Sequence, residues 1–344
     1  MTHPKHINQF VNLGLENSDT SETLDPLLSF TLKNEIIEYS TFTTAIREIA
    51  RLHIRGVTSH VDGGLLLVAQ SGGGKTTVLE YYERRFPRIT TSCGTQIPVL
   101  RVDTPESPTI KSFAEAILSA LKDPGAHKGN ATEKTNRIVH LLKNCVVELL
   151  FIDEFQHFFD GRWSAESERV SNWLKNLINK VNIPVVLTGL PCAISVVNSN
   201  RQLRRRFAAA HYMKPFGFDS ESEKREFRAV LKGIQLSLPI KCMDLSEANT
   251  AERFYYATHG LIDYVVKIID DAVSRRSSVQ KEPLALQDFA EAFKRQLWLD
   301  APNELNPFIE KATLRLLNKP LEPFDKWDDI SKYTSPKKQN GVKK

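Results

Sequence analysis

The sequence predicts an α/β fold in which a five-stranded parallel sheet is sandwiched by helices and is followed by a small helical region. Short apolar runs alternate with segments of helical period as far as residue 216, which is typical of parallel strands joined by crossover helices. Beyond residue 220 only helical periodicity is found, so helices without strands are expected there.

The predicted elements alternate along the chain. The expected strands begin near residue 64 and cover residues 97–102, 146–152, 183–189 and 211–216. The helices predicted around and between them cover residues 36–55, 78–82, 109–122, 132–144 and 165–180. The helices predicted after the last strand cover residues 220–235, 249–258, 261–276 and 286–297, with Gly260 as a cap between two of them.

A glycine-rich turn follows the first predicted strand and opens a helix on Lys75 and Thr76. This context is typical of a P-loop, in which backbone N–H groups point at a phosphate chain. Ala69 occupies the position where the pattern begins with glycine, but it closes the strand and is not expected to touch phosphate. The predicted nucleotide-binding residues are Ser71, Gly72, Gly73, Gly74, Lys75, Thr76 and Thr77. Lys75 is expected to reach the β- and γ-phosphates, and the Thr76 hydroxyl is expected to bind Mg²⁺.

Polar residues end the third and fourth predicted strands. Asp153 and Glu154 directly follow the apolar run at 146–152, and Thr188 ends the strand at 183–189. Downstream of a P-loop, Asp153 is the expected second ligand of Mg²⁺, and Glu154 is the expected base that polarises the attacking water. Thr188 is expected to sense the γ-phosphate or to orient that water, although a buried hydroxyl bonded to the backbone is the alternative.

Four arginines crowd the stretch that precedes the last predicted strand: Arg201, Arg204, Arg205 and Arg206. Arginine is suited to contacting phosphate, including as a finger that acts on a neighbouring subunit. Some of these side chains are equally expected to pair with neighbouring acids or with DNA phosphate.

Composition and charge limit the class of protein. Hydrophobic residues make up 41% and charged residues 25% of the chain, and no run of 18 apolar residues is present, so a cytoplasmic protein without a membrane span is expected. The scattered cysteines are expected to be reduced thiols. The net charge of +5 comes from the last residues, which contain five lysines and no acid after residue 331. DNA binding must therefore rest on local patches.

Four regions are expected from these patterns. They are an N-terminal extension at 1–33, the α/β core at 34–218, a helical lid at 219–299 and a C-terminal extension with a basic disordered tail at 300–344. Residues 300–330 are rich in proline and aromatic residues and are expected to lie outside the core.

Taken together and in this order, the motifs resemble the AAA+ P-loop NTPases, and within them the TniB/TnsC family of transposition ATPases. The resemblance spans about residues 36–275 and is carried by the P-loop and by three further motifs, Leu-Phe-Ile-Asp-Glu-Phe-Gln-His at 150–157, Leu-Thr-Gly-Leu-Pro at 187–191 and Gln-Leu-Arg-Arg-Arg-Phe at 202–207. The family's second sensor arginine is not evident near residues 260–264.

The resemblance implies an ATPase that binds ATP and Mg²⁺ and assembles head to tail on double-stranded DNA as a ring or helical filament. Its finger arginine maps onto Arg206 or Arg205, with Arg201 as another candidate. The implied partners are a transposase of the TnsB/TniA or TnsAB type, a target selector of the TniQ or TnsD type and, for a CRISPR-associated transposon, an RNA-guided complex. The DNA-contacting candidates are Lys111, Lys122, Lys128 and Lys134.

Three other functions compete with this interpretation. A secretion-type ATPase resembling the ExeA group would act at a membrane, and a signalling ATPase would act through a protein partner without DNA. A replication-initiator-like ATPase is expected to end in a helix-turn-helix, for which the region after residue 300 is too rich in proline.

Overall fold

The computed structural model describes residues 27, 30–35, 37–60, 63–92, 94–158, 165–207, 210–276 and 282–334. The chain divides into two compact units. The sheet unit comprises Ser40–Lys214 and Asp328–Lys344, and the helical unit comprises Met1–Tyr39 and Pro215–Trp327. Most of the predicted N-terminal extension and the tail beyond residue 334 lie outside the described residues.

A five-stranded parallel sheet forms the centre of the sheet unit, in the order β4-β5-β6-β1-β7. Its strands are β1 (Gly64–Ala69), β4 (Val99–Asp103), β5 (Leu149–Asp153), β6 (Val185–Gly189) and β7 (Ala210–Met213). Every residue of β5 and β6 is buried, as expected of strands that are covered by helices on both faces. The predicted α/β fold is confirmed.

Helices cover this sheet. They are α1 (Ser40–Ser59), α2 (Lys75–Arg84), α3 (Ile110–Ala120), α4 (Ala131–Asn144), α5 (Ala165–Val181), α6 (Ala193–Ser199) and α7 (Arg201–Arg206). Capping boxes begin α3 at Thr109 and α4 at Asn130, where each side chain accepts the N–H of the third helical residue. The apolar stripes of α3 to α7 and the strands form one core, with Phe113 and Phe155 among its fully buried residues. The apolar residues of α1 and α2, such as Ile49 and Leu79, are also fully buried.

Several elements of the sheet unit are additional to the predicted ones. One is the short buried helix α6. An antiparallel hairpin of β2 (Ile89–Thr91) and β3 (Gly94–Gln96) precedes β4. The arginine-rich stretch before β7 is helical and forms α7. The hairpin and α7 are short and largely exposed, so they leave little periodic apolar signal in the sequence.

The helical unit has its own core. Its main helices are α8 (Glu221–Leu236), α9 (Ala248–Thr258), α10 (Ile262–Ser274) and α11 (Leu286–Gln296). Each lies within two residues of the predicted bounds at both ends. No helix among the described residues of either unit is long and apolar enough to cross a membrane.

Residues from both ends of the chain complete the helical unit. Near the N-terminus, the Thr31 hydroxyl donates to the Asp270 carboxylate at 2.8 Å, and Leu32 is buried. Near the C-terminus, Phe308 and Phe324 are buried in the same core. The prediction that residues 300–330 lie outside the core is therefore wrong for these residues, because their aromatic side chains fill it.

Candidate functional site

The P-loop curls tightly between β1 and α2. Gly72 and Gly74 have φ angles of +75° and +85°, which side chains other than glycine rarely adopt. The Gly73 N–H donates to the Gln70 carbonyl at 3.0 Å, and a Cβ on Gly73 would lie 2.9 Å from the Ala69 Cβ. The glycine run is thus required by the curl, which leaves the other loop N–H groups and the first turn of α2 available as a phosphate cradle.

Lys75 is held inside this cradle. Its side chain is buried, and its ammonium donates to the carbonyls of Ala69 and Gln70 at 3.2 Å each. Burial lowers the pKa of Lys75, and the nearby carboxylates of Glu154 and Asp153 partly oppose that effect. Ser71, Thr76 and Thr77 are exposed around the cradle, so their hydroxyls are accessible to a ligand.

The strand ends bring Asp153 and Thr188 together. Ile152 of β5 pairs with Leu187 of β6, which places the next residue of each strand side by side. The Thr188 hydroxyl donates to the Asp153 carboxylate, and both residues are buried. The Asp153 carboxylate also accepts the Glu154 N–H at 2.8 Å. Asp153 is therefore fixed in orientation at the carboxyl end of the sheet.

Glu154 is turned out of the strand. Its φ of +55° is unusual for glutamate and breaks the extended path of β5. Its carboxylate accepts a hydrogen bond from the Gln156 side-chain amide and lies 3.8 Å from the His157 ring. The Glu154 side chain remains 40% exposed, so water can reach it.

Gln156 is a functional candidate that the sequence motifs did not single out. Its amide nitrogen donates to Glu154, and its amide oxygen accepts the Leu190 N–H at 3.0 Å. It thus ties the Glu154 carboxylate to the backbone two residues after Thr188. In the sequence, Gln156 is marked only as a polar residue within the motif at 150–157. In the structure it lies in a short 3₁₀ helix, Phe155–Phe158, whose other residues are two buried phenylalanines and His157.

The arginines of α7 differ in exposure, and Arg206 lies away from this site. Arg201, Arg204 and Arg205 are exposed on α7, whereas Arg206 is half-buried and burial lowers its pKa. A Cβ on Gly64 would lie 3.0 Å from the Arg206 Cγ, which places Arg206 at the amino end of β1. The P-loop follows the carboxyl end of the same strand. Six strand residues, about 20 Å, separate these ends, so Arg206 does not reach its own cradle.

The structure separates the four lysines predicted to contact DNA. Lys111, Lys122 and Lys128 are exposed on α3 and on the loop that follows it. Lys134 is fully buried and donates to the carbonyls of Ala126 and Lys128 at 2.5 and 3.1 Å. It also pairs with the Glu115 carboxylate at 3.2 Å. The prediction that Lys134 contacts DNA is wrong, because its ammonium supports the loop from inside.

Solved structures with a similar fold include two proteins of Aeropyrum pernix and one of Pyrobaculum aerophilum. The ORC2 protein of Aeropyrum pernix in its ADPNP–ADP complexes is 13% identical, with a TM-score of 0.56 over 81% of this chain and 75% of that chain. The ORC1 protein of the same organism in complex with DNA is 14% identical, with a TM-score of 0.58 over 78% and 68%. Cdc6p from Pyrobaculum aerophilum is 12% identical, with a TM-score of 0.54 over 81% and 74%.

Sequence comparison identifies the family. At 12–14% identity the structural likeness establishes the fold alone. No curated protein matches the sequence. The model of the family described as bacterial TniB protein matches residues 28–215, which is more than half of the chain and includes the cradle, Asp153, Glu154, Thr188 and the arginines. The chain belongs to the TniB family and is a nucleotide-binding ATPase of the AAA+ class.

Proposed function

We propose that this ATPase regulates DNA transposition by assembling on double-stranded target DNA and linking a target-selecting protein to a transposase. In this proposal, bound ATP favours the assembled state, and hydrolysis releases it. Membership of the TniB family supports the proposal, since the family resemblance implies these partners. The DNA-bound state of the similarly folded ORC1 protein is a precedent for a DNA-binding chain of this fold.

The position of the arginines is the observation that carries the proposal. The phosphate cradle, Asp153, Glu154 and Thr188 meet at the carboxyl end of the sheet, but Arg206, the last residue of α7, lies near its amino end. Arg206 therefore does not reach the phosphates of its own subunit. In a head-to-tail oligomer, an exposed arginine such as Arg205 would reach the site of a neighbour. Assembly of the oligomer would then also complete each ATP site.

The residues present fit a Mg²⁺–nucleotide complex. Three successive glycines form the cradle, so no side chain of theirs covers its N–H groups, and a Cβ on Gly73 would clash with Ala69 and Gln70. The exposed hydroxyl of Thr76 and the fixed carboxylate of Asp153 are oxygen donors of the kind that Mg²⁺ prefers. When bound, the ion would neutralise charge on the phosphates.

The protein groups suit hydrolysis of ATP to ADP and phosphate. Lys75 would exchange its two carbonyl partners for phosphate oxygens, which are better partners for a buried ammonium. Glu154, which is accessible to water and oriented by Gln156, would accept a proton from the attacking water as it adds to the γ-phosphorus. Thr188 would hold Asp153 in orientation and lie next to the reacting phosphate.

Contacts to DNA are assigned to exposed lysines. Lys111, Lys122 and Lys128 lie on one loop and the start of α3, and a lysine-to-phosphate contact carries no base information. Such contacts suit a protein that must bind many target sequences. Binding through them weakens as the salt concentration rises.

The test is imaging by negative stain with a non-hydrolysable ATP analogue, with and without duplex DNA. Rings or filaments that require both ligands and that shorten as salt rises are expected. Lys75→Ala should abolish nucleotide binding and assembly. Glu154→Gln should assemble like the wild type but hydrolyse ATP about 100-fold more slowly, because it lacks the base.

Other outcomes would point elsewhere. A protein that remains monomeric with and without DNA would contradict the proposal. It would favour a secretion-type or signalling ATPase that acts through a protein partner. Assembly of Lys75→Ala on DNA to the wild-type extent would contradict the coupling of nucleotide to assembly.

A further inference from the structure

The segment Asp328–Thr334 belongs to the sheet unit, although the residues directly before it belong to the helical unit. It contains the short helix α12 (Ser331–Thr334), whose start is fixed because the Asp329 carboxylate accepts the Ser331 N–H at 2.8 Å. The side chains of Ile330 and Tyr333 pack against the core of the sheet unit. The segment is thus attached to the sheet unit through the side chains of Ile330 and Tyr333.

The docked segment touches the phosphate cradle directly. The side-chain amide of Gln70, the first residue after β1, donates to the backbone carbonyl of Asp328. The Tyr333 hydroxyl donates to the Asp328 carboxylate at 2.8 Å, which fixes that carboxylate within the segment. Gln70 is only 5% exposed, so its side chain is committed to this contact. The same residue closes the loop by accepting the Gly73 N–H.

Gln70 links the segment to the lysine of the cradle, because its carbonyl accepts the Lys75 ammonium at 3.2 Å while its side-chain amide donates to Asp328. The pKa shifts of two neighbours agree with this link. Burial raises the pKa of the Cys192 thiol, and the Asp328 carboxylate raises it further, while the Lys75 ammonium acts in the opposite direction. Burial also raises the pKa of Tyr212 on β7, whose hydroxyl bonds to Gln70, and the Asp329 and Asp328 carboxylates add to that effect. The segment thus brings negative charge near the lysine that would bind phosphate.

We propose that Asp328–Thr334 is a latch on the ATP site, docked on a surface formed by Gln70, Cys192 and Tyr212, and that nucleotide and latch oppose each other. The negative charge of a nucleoside triphosphate repels the carboxylates of the segment. Movement of Lys75 from the Gln70 carbonyl to phosphate also changes the loop that holds Asp328. Because coupling between two sites is reciprocal, the docked latch weakens nucleotide binding by the factor with which nucleotide weakens docking.

The latch rests on the ATP site and does not depend on DNA or transposition, so it is tested with the full chain alone. Ile330→Asp places a charge in the packed side of the segment and should undock it. Ser331→Asn changes an exposed position of the same segment without adding charge, and its amide can still donate to Asp329, so it is the control. Calorimetric titration with a non-hydrolysable ATP analogue should show about fivefold tighter binding for Ile330→Asp and unchanged binding for Ser331→Asn.

Hydrogen exchange on the wild-type chain gives a second measurement that needs no variant. Saturating ATP analogue should speed the exchange of amides in 328–334, and ADP should do so less, because it has one phosphate fewer. If Ile330→Asp fails to fold, Tyr333→Phe, which loses only the bond to Asp328, should bind the analogue about twofold more tightly.

The latch would be overturned by undocked variants that bind the analogue no more tightly than the wild type. Slower or unchanged exchange in 328–334 on nucleotide binding would also overturn it. Neither outcome bears on assembly with DNA, and failure to assemble on DNA would leave both measurements standing.

Discussion

At the scale of single residues, the orientation of Glu154 is the least expected feature of the ATP site. A positive φ costs a glutamate about 1 kcal/mol, and the compensation comes from Gln156, which bonds its carboxylate and anchors to the Leu190 N–H. A Cβ on Gly189 would lie 2.7 Å from the Gln156 amide oxygen, so the glycine is needed for this bridge. Gln156 therefore positions the carboxylate of Glu154, the base of the proposed hydrolysis.

Replacing this residue gives a first prediction. Gln156→Leu should lower kcat for ATP about tenfold because the Glu154 carboxylate loses its orientation, while nucleotide affinity stays the same. His157→Ala is the matched control, since His157 is 3.8 Å from the same carboxylate, and it should keep kcat within about twofold. Steady-state ATPase assays and calorimetric titration measure both quantities. A weaker nucleotide affinity with unchanged kcat in Gln156→Leu would contradict the positioning role.

At the scale of elements, the loop between α3 and α4 is built around a buried cation. The Lys134 ammonium bonds two loop carbonyls and the Glu115 carboxylate of α3, so it joins both helices to the loop. Arg137 adds a bond of 2.7 Å to the Gly125 carbonyl. The exposed Lys122 and Lys128 are thereby held on a defined loop, which suits the contacts with DNA phosphate proposed for them.

Removing the buried cation gives a second prediction. Lys134→Met should lower the free energy of unfolding by about 2–3 kcal/mol, because two carbonyls and a carboxylate lose their partner. Lys128→Met, at an exposed position of the same loop, should leave it within about 0.5 kcal/mol. Urea unfolding followed by circular dichroism measures both. Equal stability of the two variants would contradict the structural role of Lys134.

The end of α9 gives a third prediction, on pH. His259, at a φ of +53°, stacks on Trp327 with ring centroids 4.0 Å apart, and burial lowers its pKa from 6.5 to about 4. The folded state favours neutral His259, so its contribution to stability is complete above pH 6.5 and is lost as the pH falls towards 4. The loss is roughly 2 kcal/mol after allowance for partial exposure.

The variant His259→Asn isolates this effect. Asparagine accepts a positive φ and does not titrate, so the variant should be less stable at pH 7 but lose less stability between pH 6.5 and 4.5 than the wild type does. Urea unfolding across that range is the measurement. Parallel curves for the two proteins would show that His259 is protonated equally in both states.

At the scale of the whole molecule, local patterns predicted most of the fold and of the ATP site. The strand ends that carry Asp153 and Thr188 could be placed because buried parallel strands read as continuous apolar runs, and the P-loop motif is local in sequence. The contribution of residues 27–39 and 300–327 to the helical unit could not be predicted. Pairs such as Thr31 with Asp270 join distant parts of the chain and leave no periodic signal.

The burial of individual polar side chains could not be predicted from the sequence either. No sequence pattern distinguishes Lys134 from Lys128, yet Lys134 is fully buried and Lys128 is exposed. The difference arises because the loop folds back over the first turns of α4. Gln156 and Gln70 likewise gain their roles from partners at 190 and 328 that no local motif indicates.

In the proposed oligomer, an arginine from a neighbouring subunit completes the ATP site. Glu154→Gln keeps its arginines but lacks the base, and a variant lacking both Arg205 and Arg206 keeps the base but lacks the finger. Each is expected to be inactive as an ATPase. Mixed in equal amounts with duplex DNA, they should regain about one quarter of wild-type activity, because one interface in four pairs an intact cradle with an intact finger. A mixture no more active than its two components would contradict the claim.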